Sequence, residues 1–193
     1  MNDSPDRPRI FQRLDQTAGY PYTRGEYVRR YAWLLVQATF IRFSPPRAYG
    51  WRRFWLRLFG AKLAATSRTR HTTRIIHPWL LTIGQHSILG EEVFVYNLGP
   101  VTIGDHTVIS RGAELCAGTH DYTMPNLPLQ RPPITVGSGV WICTRAFLGP
   151  GVTVGDNAIV GARSVVVTDV PPAMIVRGNP AAVIKPRPIG PQT

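Results

Sequence analysis

The sequence predicts an all-β body that winds as a parallel β-helix of about five coils, preceded by a short α-helical segment. An aliphatic residue returns every six positions through much of the chain, and a small or branched residue follows it four positions later. Glycine and proline number 18 each, which is more than a helical bundle carries. Six is neither the period of an α-helix nor that of a simple strand, so each hexad is typical of a short strand and a corner.

The hexads fall into three sets. They place aliphatic residues at Ile83, Leu89 and Val95, at Ile103, Ile109 and Leu115, and at Val136, Ile142, Leu148, Val154, Val160 and Val166. Three hexads close one triangular coil, in which the aliphatic residues point inward. Stacked coils then pair their strands in parallel about 4.8 Å apart, so the core is a column. A β-sandwich would alternate with a period of two, and these segments do not. We expect the coils to run from near Leu63 to near Val170.

The N-terminal part predicts two amphipathic helices, over residues 26–43 and 51–59. Ser44-Pro45-Pro46 ends the first, and Gly60 is a stop signal for the second. The expected apolar faces are Tyr27, Tyr31, Leu34, Leu35 and Ala38 on the first helix, and Trp51, Phe54, Trp55, Leu58 and Phe59 on the second. Arg52, Arg53 and Arg57 lie opposite the second face. This aromatic stripe fits two roles, a cap on the open end of the β-helix or a contact with a membrane surface through residues 26–59.

The charged residues are distributed unevenly along the chain. Residues 1–74 hold 15 of the 22 Lys and Arg but only 4 of the 11 Asp and Glu, so the whole net charge of +11 lies there. We therefore expect a basic, amphipathic segment over 1–60, a β-helix domain over 61–178 with a loop at 121–133, and a tail over 179–193. The charge favours an anionic membrane surface or a pyrophosphate-linked sugar. Nucleic acid is not expected, because no groove-reading motif is present.

The expected compartment is the cytoplasm, with the inner face of the membrane as the place of contact if the helices dock. The longest apolar run, over 32–36, is far shorter than the ~20 residues of a bilayer span. The first residues are polar and lack the apolar core of a secretory signal. Cys116 and Cys143 do not make a disulfide framework, so both are expected to be reduced structural residues.

The hexad register slips twice, and both slips carry a polar residue. Ile103 comes eight positions after Val95, and Val136 comes 21 positions after Leu115, where the regular repeat is six. Asn97 follows Val95, and His120 follows Leu115 one coil later. Both side chains are therefore expected on the same wall of the β-helix, beside the projecting loop. A neutral histidine can take the proton of an attacking hydroxyl, and a fixed amide can stabilise an oxyanion, without a metal. The alternative is that both residues only cap turns.

Residues 133–142, 150–162 and 169–181 resemble the C-terminal half of the galactoside, maltose and nodulation-factor O-acetyltransferases, which are hexapeptide-repeat acyltransferases. The resemblance implies a left-handed β-helix and a homotrimer. It also implies that acetyl-CoA is the acyl donor and lies in a groove between subunits. His120 corresponds to the general base, and Asn97, in Tyr96-Asn97-Leu98, to the residue that holds the oxyanion and the acceptor.

The same resemblance implies a set of acetyl-CoA contacts. Thr144 and Ala162 correspond to backbone contacts, and Lys185 keeps one basic position of the tail. Thr168 is also expected in the contact set, although the family has lysine there, and the sequence departs from the family again at Ala182, where the family has arginine. Arg145, Arg163 and Arg177 are the candidates to make the phosphate contacts instead, and the alternative is that each is a solvated surface charge.

A second resemblance covers nearly the whole chain. Residues 35–40, 50–54, 57–62 and 118–122 are similar to the colanic-acid-biosynthesis acetyltransferases. This implies O-acetylation of a sugar in an exopolysaccharide repeat unit. Asp121, Tyr122 and Trp141 are the candidate acceptor contacts.

Two other classes stay open at this point. A γ-class carbonic anhydrase shares the β-helix but needs three zinc-bound histidines, two of them five residues apart. No two of the histidines at 71, 77, 86, 106 and 120 have that spacing. His86 and His106 are expected to stack as a solvated pair on neighbouring coils. A non-enzymatic β-helix protein that docks on membranes is the other alternative.

Overall fold

A computed structural model describes residues 11–17, 22–188 and 190, and its body is a parallel β-helix with three walls. The first wall contains Lys62–Leu63, Leu81–Ile83, Val101–Ile103, Ile134–Val136 and Thr153–Val154. The second contains Arg68–Thr69, Ile88–Leu89, Val108–Ile109, Trp141–Ile142, Ile159–Val160 and Met174–Gly178. The third contains Arg74–Ile75, Phe94–Tyr96, Glu114–Cys116, Phe147–Leu148 and Val165–Val166. Five coils are complete, and Val170 and Met174–Gly178 begin a sixth.

The strand pairing confirms both predicted slips and adds one. Thr102 pairs with Thr135 across the long insertion, and Thr135 pairs with Thr153 at the regular spacing of one coil. Thr82 pairs with Thr102, a coil of 20 residues that contains the two-residue excess. Lys62 pairs with Thr82 at the same distance of 20. The first coil therefore has an equal excess, and a short 3-10 turn at Pro78–Leu80 takes it up.

The predicted core positions form the column. All twelve aliphatic hexad residues, from Ile83 to Val166, are at most 1% exposed. From the second coil onward, the corners between the first two walls place one residue per coil in the left-handed backbone region, as at His86, His106 and Asn157. Gly139 occupies the same place in the fourth coil, where a glycine adopts this backbone without strain.

The first helix, α1 (Arg24–Val36), covers the open end of the third wall. Thr23 and Glu26 form a capping box at its start, and a π-helical turn at Gln37–Ile41 continues it. The Trp33 indole N–H donates to the carbonyl of Ile75 at 2.7 Å, and the Gln37 side-chain oxygen accepts from the N–H of Ile75 at 2.7 Å. Side chains of the helix thus take the place of a preceding strand.

The second helix, α2 (Tyr49–Leu58), closes the other two walls with arginines. Arg52 Nε donates to the carbonyl of Thr69 at 2.7 Å. Arg53 and Arg57 donate to the carbonyls of Ser67 and Leu63 at 2.8 and 2.6 Å. These carbonyls belong to the first coil, and in the described part of the chain no earlier strand pairs with them. The arginines therefore cap the sheet edge.

Both predicted helix faces need correction. Tyr31, Leu34 and Leu35 are exposed, whereas the buried side of the first helix and its π-helical turn carries Trp33, Val36 and Ile41. On α2 the stripe divides: Trp55 and Phe59 pack against the core, while Trp51, Phe54 and Leu58 stay exposed. Capping by the aromatic stripe is wrong for these three residues. The end of a β-helix presents carbonyl groups, and guanidinium groups can pair with them where rings cannot.

The long insertion is more ordered than a plain loop over 121–133. Thr119–His120 pairs antiparallel with Leu129–Gln130, so a hairpin closes its base. At the far end of the column, Ala181–Pro186 folds back antiparallel on Met174–Gly178. Among the described residues, no helix is long and apolar enough to cross a bilayer.

Candidate active site

His120 lies at the start of the long insertion with its side chain exposed. Its Nδ1 is 2.7 Å from the carbonyl oxygen of Leu127, across the hairpin. A carbonyl can only accept, so this hydrogen bond requires the proton on Nδ1. The lone pair on Nε2 is then open to a substrate. The hairpin therefore fixes both the orientation and the tautomer that a general base needs.

The residues after His120 shape the rim of this site. The Asp121 carboxylate accepts from the hydroxyl and the N–H of Thr123 at 2.6 and 2.9 Å, and these two bonds lower the pKa of Asp121. Asp121 therefore stabilises the turn of the hairpin as an ionised group. Tyr122 projects from this turn and is 83% exposed, so its ring is free to contact an acceptor.

Asn97 is fully buried one coil before His120. Its side-chain oxygen accepts from the N–H of His77 at 2.9 Å, and its side-chain nitrogen donates to the carbonyl of His77 at 2.6 Å. The amide thus ties together the corners of the first two coils. These two hydrogen bonds explain why an asparagine stands at this slip in the register. The role of Asn97 in stabilising an oxyanion stays a prediction.

His77 is a residue that sequence reasoning missed. It is 1% exposed, and its Nδ1 lies 2.9 Å from the carbonyl of Asn97, while Nε2 is buried without a hydrogen-bond partner in the described part of the chain. Burial lowers the pKa of His77 to about 4, and the bond to Asn97 only partly opposes this. The imidazole is therefore neutral near pH 7. One feature of the sequence could have indicated His77: it lies 20 residues before Asn97, which is the length of one coil with the two-residue excess.

Part of the predicted acetyl-CoA set meets at the corner between the second and third walls. A cleft of about 240 Å³ is lined by Arg111, Thr144, Arg145, Ala162 and Arg163. Backbone hydrogen bonds join the turns of neighbouring coils: the N–H of Arg145 donates to the carbonyl of Arg111, and the N–H of Arg163 donates to the carbonyl of Thr144. Arg111 is paired with Glu92 at 2.7 Å. Arg177 lies one coil further along, beside Gly161. The corner is thus a cationic column.

The other predicted contacts lie apart from this cleft. Thr168 is exposed beyond the last strand of the third wall, and Lys185 pairs with Ile175 in the tail hairpin. Trp141 lies on the second wall, where its indole donates to Ser110 at 2.9 Å. It is therefore on a different wall from the hairpin that carries His120.

His120 and the cleft occupy opposite edges of the third wall within one chain. In the third coil the chain passes from Arg111 through the strand Glu114–Cys116 to His120. A three-residue strand spans about 10 Å. A ligand that reaches both must cross the wall, or the two parts must come from neighbouring chains.

Other reactive groups have structural explanations. Cys116 and Cys143 are free, and burial raises the pKa of both thiols, so they are poor nucleophiles. His86 and His106 stack at 4.8 Å, as predicted. No group of three or more His, Cys, Asp or Glu that could hold a metal ion is found within 11–17, 22–188 and 190.

Comparison with known proteins identifies relatives in sequence and structure. A profile for bacterial transferase hexapeptide repeats (six repeats) matches residues 133–168. A protein of Escherichia coli K12 assigned as colanic acid biosynthesis acetyltransferase WcaF is 43% identical over 163 residues, or 84% of this chain and 90% of the relative. Galactoside O-acetyltransferase of the same strain is 39% identical over 88 residues, 44% of this chain and 43% of its own.

A solved structure has the same architecture. The hexapeptide-repeat acetyltransferase of Vibrio cholerae O1 biovar eltor, complexed with acetyl coenzyme A, superposes with a TM-score of 0.78 at 26% identity, and the match covers 91% of this chain and 96% of that one. The hexapeptide match falls on the fourth and fifth coils, which contribute four of the cleft residues. Because one relative is 43% identical over most of both chains, this chain belongs to the hexapeptide-repeat acetyltransferase family.

Proposed function

We propose that the protein transfers an acetyl group from acetyl-CoA to a hydroxyl of a sugar, with His120 as the general base. The observation that carries the proposal is the 2.7 Å contact between His120 Nδ1 and the carbonyl of Leu127, which leaves Nε2 as an exposed acceptor. The family and the acetyl-CoA complex of the Vibrio cholerae neighbour support the donor. The assignment of the WcaF relative to colanic acid biosynthesis supports an exopolysaccharide sugar as acceptor.

The proposed reaction is a direct transfer within a ternary complex. His120 Nε2 takes the proton of the sugar hydroxyl as its oxygen attacks the thioester carbonyl. The tetrahedral intermediate collapses by breaking the carbon–sulfur bond, and the proton on His120 passes to the departing thiolate. No acyl-enzyme forms. In this proposal Asn97 remains the oxyanion donor, and this requires its amide to turn from His77.

The cationic corner is the proposed donor site. Arg145, Arg163 and Arg177 offer guanidinium groups that match the phosphates of CoA, and Thr144 and Ala162 offer backbone at the same turns. Because the cleft and His120 lie on opposite edges of one wall, a complete site is best made between subunits of a homotrimer. Thr168 and Lys185 lie apart from the cleft, so they would contact only a part of the donor that extends beyond it.

The acceptor is proposed to lie beside the hairpin. Tyr122 can stack on a sugar face, and Asp121 can accept a bond from a hydroxyl through the carboxylate oxygen that Thr123 does not use. Trp141 can take part only if a neighbouring subunit brings its second wall to this hairpin.

The test is a screen of acetyl transfer from labelled acetyl-CoA to fucose, galactose, glucose and lipid-linked oligosaccharides. With the best acceptor, His120→Ala is expected to lower kcat by about 10²–10⁴-fold with little change in the KM for acetyl-CoA. His106→Asn is the matched control, because it removes an exposed imidazole and asparagine tolerates left-handed backbone. Full activity of His120→Ala with the true acceptor would contradict the mechanism.

Asn97→Ala separates two roles for this residue. An oxyanion donor would lower kcat in a chain of unchanged stability. A corner tie to His77 would lower the unfolding temperature and leave the kcat of the folded fraction near that of the parent.

A further inference from the structure

The charge of this chain is concentrated in a segment that contains no acid. Residues 27–90 carry 11 Lys and Arg and not one Asp or Glu. The rest of the chain is balanced, with 11 basic and 11 acidic residues. The acid-free segment comprises α1 beyond Glu26, all of α2, the first coil of the β-helix and the first two strands of the second coil. The capped end of the column is thus strongly cationic.

The same end exposes a set of large apolar side chains, which we call the aromatic surface. It consists of Phe40, Phe43, Trp51, Phe54 and Leu58, each between 44% and 83% exposed. Ring contacts hold part of it rigid: Phe40 stacks on Trp55 at 4.8 Å, and Trp51 on Phe54 at 6.3 Å. The Trp51 indole donates to the carbonyl of Phe40. The surface is therefore formed before any partner arrives.

Basic side chains border this surface. Arg53 and Arg57 line an open groove of about 430 Å³ together with Phe54 and Leu58, so cationic and apolar groups share one depression. Arg42 and Arg47 are exposed, and neither guanidinium has a partner among the residues that the structure describes. Rings and aliphatic groups edged by arginines are the composition of an interfacial helix.

We propose that the aromatic surface docks on a membrane that contains anionic lipid. The apolar side chains enter the boundary between headgroups and acyl chains, and Arg42 and Arg47, whose guanidinium groups have no described partner, meet lipid phosphates. Arg53 and Arg57 add the guanidinium nitrogens that the sheet-edge carbonyls leave free. A second copy of the chain is a poorer occupant, because it would bring an equally acid-free surface against this one. The proposal does not depend on acetyl transfer.

The test is flotation of the full chain with vesicles in the absence of acetyl-CoA. The protein is expected to bind vesicles of equal parts phosphatidylcholine and phosphatidylglycerol, and to bind phosphatidylcholine alone far more weakly. Binding should also weaken at high salt, because screening shortens the reach of the arginines. Failure to bind the anionic vesicles would overturn the proposal.

Two pairs of substitutions locate the contact. Arg42→Gln with Arg47→Gln is expected to weaken binding about 30-fold, since each arginine near an anionic surface contributes roughly fivefold. Phe54→Gln with Leu58→Gln should weaken it at least about tenfold. The matched control is Val183→Gln with Ile184→Gln, two exposed apolar residues in the tail strand, which should leave binding unchanged.

Circular dichroism and the oligomeric state decide how a loss of binding is interpreted. If the variants keep the parent's unfolding temperature and sedimentation coefficient, their weaker binding supports docking. If Phe54→Gln with Leu58→Gln instead breaks up an oligomer, the aromatic surface is an interface between copies and the proposal is wrong. It is also wrong if the control pair loses binding equally.

Discussion

Replacing Arg52 by methionine is expected to destabilise the protein far more than any other arginine substitution on α2. Arg52 is fully buried and faces no acid in the described structure. It makes four hydrogen bonds: to the carbonyls of Thr69, Pro45 and Pro46 and to the hydroxyl of Ser44, all at 2.7–2.8 Å. Burial lowers the pKa of Arg52, but the guanidinium stays charged.

The expected magnitude follows from the burial of the acceptors. The carbonyls of Pro45 and Pro46 are only partly buried, so water can replace the guanidinium there. The carbonyl of Thr69 and the hydroxyl of Ser44 are buried and lose their donor. Each such loss costs about 1–3 kcal/mol, so the free energy of unfolding should fall by about 2–6 kcal/mol. For a chain of this size that lowers the unfolding temperature by at least about 4 °C.

Urea unfolding followed by circular dichroism measures this change. Two neighbours calibrate it. Arg53→Met removes one partly buried bond, to the carbonyl of Ser67, and should cost about 1 kcal/mol. Arg47→Met removes an exposed side chain without a described partner and should change stability by less than about 0.5 kcal/mol.

A cost below about 1 kcal/mol for Arg52→Met would refute the reasoning. So would equal costs for the three variants, because the order Arg52, Arg53, Arg47 follows directly from the number and burial of the bonds. An unchanged slope of free energy against urea is the condition for the comparison.

Two further predictions follow from the site. Because His77 titrates at about 4 in the folded chain and near 6.5 when unfolded, only the unfolded chain gains a proton between these values. Stability should therefore fall as pH drops from about 6.5 to about 4, by up to about 3 kcal/mol, and urea unfolding of His77→Gln should lose this dependence. At the cationic corner, Arg145→Asn and Arg163→Asn should each raise the KM for acetyl-CoA about tenfold with kcat nearly unchanged, whereas an equal loss in kcat would place them at the reacting atoms.

The column could be predicted because an aliphatic residue recurs every six positions in the sequence. A residue such as Val154 has one environment, fixed by its place in the hexad, and every coil repeats it. The two slips after Val95 and Leu115 were visible for the same reason. The slip at Pro78–Leu80 was not, since the first coil has no preceding repeat to set the register. His77 was missed with it.

The orientation of the helices could not be read from amphipathicity. That argument assumes that the apolar face of a helix meets an apolar surface. Here the surface under α2 is the end of a sheet, and its carbonyls take the arginine side of the helix. Among the residues expected to contact acetyl-CoA, the position of Thr144 could be predicted because the repeat places its turn. The position of Lys185 could not, because it depends on how the tail folds back.

The positive charge at the start of the column therefore has two physical origins, and they can be separated. A β-helix that begins abruptly leaves carbonyls such as those of Leu63, Ser67 and Thr69 without strand partners, and long side chains rich in donors are the residues that can reach them. At the other end, the strand Ala181–Pro186 closes the second wall with backbone, and no arginine row is needed. Arg52 belongs to the structural class, because removing it should unfold the cap. Arg42 and Arg47 cap no carbonyl among the described residues. If their charge is needed, the group that needs it belongs to a partner outside the chain.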